Sequence, residues 1–161
     1  MHRNIVLGLT AFLTCTGAAN AQTPSKLTDP AGILRGLKGL DVMVKMTSDK
    51  LDSASVHTIV AARLTENGFT VGPKNSPFLA VSCTALDRGD RLLVAFSCDM
   101  RLHQFATVIP SNTLMMANTW STSNGVALVG LDRSRELMLS AVDGMTDEFI
   151  VAWKAANAKK K

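Results

Sequence analysis

Two alternating runs near the middle of the chain limit its fold more than any other feature. Residues 78–86 and 92–108 flank the polar stretch Asp87-Arg88-Gly89-Asp90-Arg91. Leu79, Val81, Cys83 and Ala85 share one face of the first run, and Val94, Phe96, Cys98 and Met100 share one face of the second, because side chains alternate along a strand. Two such runs joined by a short polar turn form an antiparallel hairpin. Pairing residues whose numbers sum to 181 sets Val81 against Met100, Cys83 against Cys98 and Ala85 against Phe96. Opposite residues in such a ladder lie about 4.5 to 5.5 Å apart at Cα, within reach of a disulfide. A structural Cys83–Cys98 bond is therefore expected. Free buried thiols are the alternative, while redox work has no C-x-x-C at a helix start to depress a thiol pKa.

A disulfide needs an oxidising compartment, and the N-terminus offers a route to one. His2 and Arg3 precede an apolar run over residues 5–13, and small residues lead to Ala19-Asn20-Ala21. This is the pattern of a secretory signal peptide over residues 1–21, cut before Gln22. The expected location is periplasmic. Lipid anchoring through Cys15 stays open beside it, although Phe12 and Thr14 stand where such sites usually carry Leu and a small residue. The remaining 140 residues suit one domain, and none of their apolar runs approaches the eighteen or so residues that cross a bilayer. Loss of Arg3 leaves sixteen basic against thirteen acidic side chains, and the excess sits in a basic tail, residues 158–161, at Lys159, Lys160 and Lys161. The body thus has no basic face for nucleic acid, and three lysines fall short of a lipid-binding cluster.

Residues 22–39, with Pro24, Pro30 and three glycines, read as an irregular lead-in with one weak helical turn around residues 33–37. A single domain follows over residues 40–157. Residues 40–46 alternate as a half-buried strand, Leu40, Val42, Val44 and Met46 on one face and Asp41 and Lys45 on the other. A helix follows from an Asp52 or Ser53 cap to Asn67, with Val56, Ile59, Val60 and Leu64 at helical spacing. Gly68 suits the left-handed position past its end, and Phe69 can pack back on Leu64. After the hairpin, residues 113–121 form a further strand, and residues 126–131 either continue it or form another. The last helix, residues 132–157, is capped by Asp132 or Ser134 and carries Met138, Val142, Met145, Phe149 and Trp153 in one stripe. The sum is an α+β fold: strand, helix, three strands, helix, with one mixed sheet and both helices packed on one face.

Catalytic signatures do not appear. The sequence has no G-x-S-x-G, S-x-x-K, H-E-x-x-H or phosphate-binding loop, and nothing sets a serine beside Asp99 and His103. His57 and His103 lack the companions of a zinc site. Asp87, Asp90 and Asp99 lack calcium-loop spacing. Met43 and Met46, like Met115 and Met116, point to opposite strand faces, which suits core filling better than copper. No cofactor and no metal are expected.

Several stretches resemble small exported bacterial α/β proteins of uncharacterised role. They are Leu34-Arg35-Gly36-Leu37-Lys38-Gly39 before the first strand, the Asn67-Gly68-Phe69 stop, Trp120, and Phe149, Trp153 and Asn157 in the last helix. In topology the chain is also similar to the N-terminal domain of TolB and to CsgG-like envelope proteins. That resemblance implies envelope assembly or scaffolding without a catalytic centre. The expected function is non-enzymatic: an accessory or scaffold protein binding an envelope component or itself. A small-ligand or metal-binding protein, using a pocket between helices and sheet, is the alternative. Docking is expected along Thr113, Met115, Asn118 and Trp120, because no Lys, Arg or Pro guards the chain from Thr113 through Val129. Either this strand is central to the sheet or its edge is occupied by a second chain. Intact-mass measurement of the exported protein should give a chain beginning at Gln22; a mass that retains residues 1–21, or carries lipid on Cys15, contradicts the leader reading.

Overall fold

The computed structural model describes residues 30–47, 51–72, 77–87 and 92–158. The leader with Cys15, residues 22–29 of the lead-in, the turn at Arg88-Gly89-Asp90-Arg91 and the three terminal lysines lie outside the described residues. The elements are α1 (Pro30–Leu34), β1 (Gly39–Thr47), α2 (Ser53–Glu66), β2 (Thr70–Val71), β3 (Phe78–Asp87), β4 (Leu93–Val108), β5 (Thr113–Gly130) and α3 (Leu131–Asn157). The strands make one mixed sheet in the order β2-β1-β3-β4-β5. β1 runs parallel to both of its neighbours, and β3, β4 and β5 are antiparallel in turn. The fold is α+β, with the helices packed on one face of the sheet. α1 closes at Leu34, earlier than the turn predicted at residues 33–37, and β2 is a fourth short strand between the long helices.

The hairpin keeps the predicted register throughout, from Phe78 opposite His103 to Asp87 opposite Val94. Cys83 and Cys98 are disulfide-bonded with Cα atoms 4.1 Å apart, and both are fully buried. They lie on the face that α2 and α3 cover, among Val81, Phe96, Met100 and Leu102. On its other side, Cys98 N–H donates to Asn124 Oδ1 at 2.6 Å. Asn124 and Gly125 form a bulge in β5, with Gly125 at φ 70 and the ladder stepping from Ser97–Val126 to Asp99–Ser123. The side-chain amide replaces the backbone acceptor that the bulge removes. Residues 126–130 therefore continue β5 instead of forming a separate strand.

α2 starts at Asp52, whose carboxylate accepts from Ser55 N at 2.9 Å and from Ser55 Oγ at 3.0 Å. It stops in a Schellman arrangement: Gly68 N–H donates to Thr65 O and Phe69 N–H to Leu64 O, with Gly68 at φ 92. Val56, Val60 and Leu64 are buried, but Ile59 is 38% exposed. The stripe centres between Val56 and Leu64, and at about 100° per residue Ile59 falls roughly 100° off that centre. Arg63, next to the stripe, is ion-paired with Asp143 and Asp147 of α3.

α3 departs from the expected cap. Gly130 occupies the cap position with no side-chain bond. Ser134 Oγ instead donates back to Leu131 O at 2.8 Å, and Asp132 sits in the first turn, where its charge suits the helix dipole. Met138, Val142, Met145 and Phe149 form the buried stripe as predicted. Its last turns meet the end of α2 and the lead-in. Phe69 packs on Phe149 and Trp153 at ring-centroid distances of 5.7 and 4.4 Å, and Trp120 meets Phe149 edge-on at 5.1 Å. Trp153 Nε1 donates to Leu37 O at 2.8 Å. Asn157 accepts from Gly36 N and donates to Leu34 O, at 2.8 and 3.0 Å.

Replacing Cys83 and Cys98 together by Ala should lower unfolding free energy by about 2 to 5 kcal/mol in denaturant titration, against an unchanged value if the bond bears no load. Asp52→Ala should lower the melting temperature at neutral pH. Hydrogen bonds from Ser55 hold the Asp52 carboxyl below its usual value, so the stability it adds is present above the unfolded-state pKa and is lost as pH falls through the lower folded-state value. Thermal melts at neutral and strongly acid pH should therefore show the gap between wild type and variant closing on acidification.

Candidate functional site

Because the helices take one face of the sheet, the opposite face and the outer edge of β5 are left bare. Side chains alternate, so the ladder registers place Asp41, Phe78, His103 and Asn118 in one row across the bare face. The next rows are Met43, Ala80, Arg101 and Ser121, then Lys45, Ser82, Asp99 and Ser123. Further along lie Thr84, Ser97 and Val126, then Leu86, Ala95 and Leu128. The middle of this face is polar and charged, whereas its far end is apolar, with Val126 81% exposed.

β5 is the outermost strand, and among the described residues nothing pairs with its outer side. It spans 18 residues, where strands usually run about 3 to 10. Proteins that leave an edge unused normally guard it with charge, proline or brevity. Here the chain carries no Asp, Glu, Lys or Arg from Leu102 through Leu131. β4 and β5 also outrun the rest of the sheet. β3 begins at Phe78 opposite His103, so residues 104–108 and 113–117 pair only with one another as a two-stranded arm. Phe105, Ile109 and Leu114 on that arm are 55%, 72% and 64% exposed.

The four residues predicted to dock do not share one surface. Thr113, Met115 and Asn118 are exposed. Asn118 stands on the bare face opposite His103, and Thr113 and Met115 on the other face, opposite Val108 and Ala106. The ladder steps between Leu102–Trp120 and His103–Asn118, and this turns Trp120 toward the core against Phe149. Trp120 thus has only its backbone to give to the edge. Phe105, Ile109 and Leu114 were not singled out from the sequence. The signal that marks them is the absence of either sign of charge, which a search for basic residues and proline alone does not register.

Two grooves open on the bare face. The larger, about 290 Å³, lies over β3 between Met43, Lys45, Arg101 and His103. The smaller, about 110 Å³, lies between Leu86 and Val126 and is lined almost wholly by apolar atoms. Arg101 Nε is 2.8 Å from Asp99 Oδ2, and the His103 ring stacks on Phe78 at 4.7 Å with planes 12° apart. Among the described residues no three His, Cys, Asp or Glu side chains gather as a metal site, and no helix is long and apolar enough to cross a membrane.

No family model matches the chain, and no curated protein matches it. Among solved structures it is similar to the PelC dodecamer from Paraburkholderia phytofirmans, with 14% identity, 78% of this chain and 91% of that chain covered, and a TM-score of 0.38. It is similar to a minor lipoprotein from Acinetobacter baumannii, with 11% identity, coverage of 74% and 93%, and a TM-score of 0.38. A neuraminyllactose-binding hemagglutinin homolog from Helicobacter pylori follows, with 8% identity, coverage of 74% and 83%, and a TM-score of 0.35. These are bacterial proteins, one of them a lipoprotein by name, and neither TolB nor a CsgG-like protein is among the three. Likeness at these scores is a partial one of shape.

Proposed function

We propose that this protein is a non-enzymatic accessory or scaffold component of the bacterial cell envelope, acting in the periplasm and docking through the outer edge of β5 to a second copy of itself or to another envelope component. One observation carries the reading: an 18-residue edge strand inside a stretch without a single Asp, Glu, Lys or Arg. Such a strand is a ready template for strand addition, in which backbone hydrogen bonds give affinity and side chains on alternate positions give specificity. A charge-free edge also joins a partner without desolvating an ion. The secretory pattern before Gln22 and the buried disulfide support an oxidising location. The resemblance in topology to the N-terminal domain of TolB and to CsgG-like proteins points the same way, toward assembly rather than turnover.

Asn118→Lys tests the docking edge. The position is exposed, so the domain should keep its melting temperature to within the small range usual for surface changes, about 0.5 kcal/mol. Assembly, read by analytical ultracentrifugation and by capture from native envelopes, should weaken by at least about tenfold. A wild-type protein that sediments as a monomer, together with a variant that still captures every native partner, refutes the edge as a docking site.

A further inference from the structure

The larger groove on the bare face is built from residues that the edge does not use. Its floor is β3, where Ala80 and Ser82 face outward. Both are small, and the flanking strands set larger side chains on either side: Met43 and Lys45 from β1, Arg101 and Asp99 from β4. Two strand spacings separate these walls, roughly 10 Å, so the trough has room for one slender molecule. The stacked Phe78 and His103 rings stand at one end.

The charges around the trough are unequal. Asp99 is engaged by Arg101 through Nε at 2.8 Å. Asp99 is the single carboxylate partner that Arg101 has among the described residues, and Lys45 has none there. Among the side chains that line the groove, Lys45 and Arg101 outweigh Asp99 by one positive charge, and Asp41 stands one row farther along β1. Beside them the wall residue Met43 and the floor residue Ala80 are apolar. One surplus positive charge beside the apolar pair Met43 and Ala80 complements a monoanion that carries a hydrocarbon body; a dianion would leave a charge unmatched.

We infer that this groove binds a small monocarboxylate with a short apolar body, its carboxylate held between Lys45 Nζ and the Arg101 guanidinium and its body laid over Met43 and Ala80. A planar guanidinium suits a carboxylate, and Lys45 adds a second, mobile donor.

Hexanoate is the probe, titrated into the disulfide-bonded protein while the Met43 and Ala80 methyl resonances are followed. These should shift saturably, in the millimolar range expected of so small a molecule. Acetate has the charge without the body and hexylammonium the body with the opposite charge; both should bind at least about tenfold more weakly. Lys45→Gln with Arg101→Gln should weaken hexanoate by at least about tenfold while the remaining methyl spectrum stays in place. If the double variant fails to fold, Lys45→Gln alone, at an exposed position, should still cost at least about threefold. Ala80→Leu fills the floor and should abolish the shift at Met43. Binding of hexylammonium equal to hexanoate, undiminished binding by the folded charge variant, or no saturable shift at all overturns the assignment.

Discussion

The fold depends on what happens where α2 stops. The Schellman turn at Gly68 places Phe69 against Phe149 and Trp153 of α3, and from that contact the rest is tied in. Trp120 brings β5 to the same cluster, while Trp153 and Asn157 hold the lead-in through Leu37, Gly36 and Leu34. Truncating a buried phenylalanine such as Phe149 costs about 3 to 5 kcal/mol, and the half-buried Trp153 indole adds its own hydrogen bond to Leu37. A disulfide closing a loop like Cys83–Cys98 is worth about 3 kcal/mol. The aromatic clasp therefore outweighs the cross-link, and it joins four parts of the chain where the cross-link joins two neighbouring strands.

Stability and recognition consequently occupy opposite sides of one sheet. Even-numbered residues of β4 from Val94 to Leu102 are buried under the helices, while Asp99, Arg101 and His103 stand on the bare face beside the groove. A change on the bare face meets few core atoms, so this surface is free to vary its chemistry without unfolding the domain. The outer edge of β5 is likewise bare, for the opposite reason: it lacks the charges by which edges usually repel a neighbouring strand.

Much of this was legible in the residues because the local signals were redundant. The Cys83–Cys98 register followed from two alternating patterns, which match in any register two residues apart, and from the two cysteines, which select one of those registers; Asn67-Gly68-Phe69 marks its turn through a glycine that must take positive φ. The motifs that resemble exported proteins prove to be one physical unit, the clasp at the end of α3. Features set by three-dimensional context escaped. Ile59 has helical spacing, yet lies outside a stripe whose centre the sheet decides. Asp132 and Ser134 look like caps, but the chain turns from β5 into α3 at Gly130, and Leu131 N–H donates to Leu92 O. The bulge at Asn124 and Gly125 resembles a strand end in one dimension, because the acceptor that keeps the ladder satisfied belongs to a side chain. Trp120 looked available on an exposed strand until the step beside it turned the ring inward.

The position of the clasp in the chain has a consequence for how the domain is made. Asn157 and Trp153 belong to the final turns of α3, yet they fasten Leu34 to Leu37, which are among the first described residues. A chain delivered N-terminus first cannot close this lock until the last turns of α3 have emerged. Until then the apolar inner side of β4 and β5 has no cover. During that interval the hairpin of β3 and β4 is the part best able to hold its alignment, since its contacts are local and its cysteines lie directly opposite one another. Early oxidation would then act as a ratchet, preserving one strand alignment while the covering helix is still in transit and limiting the misaligned pairings open to a long uncharged strand.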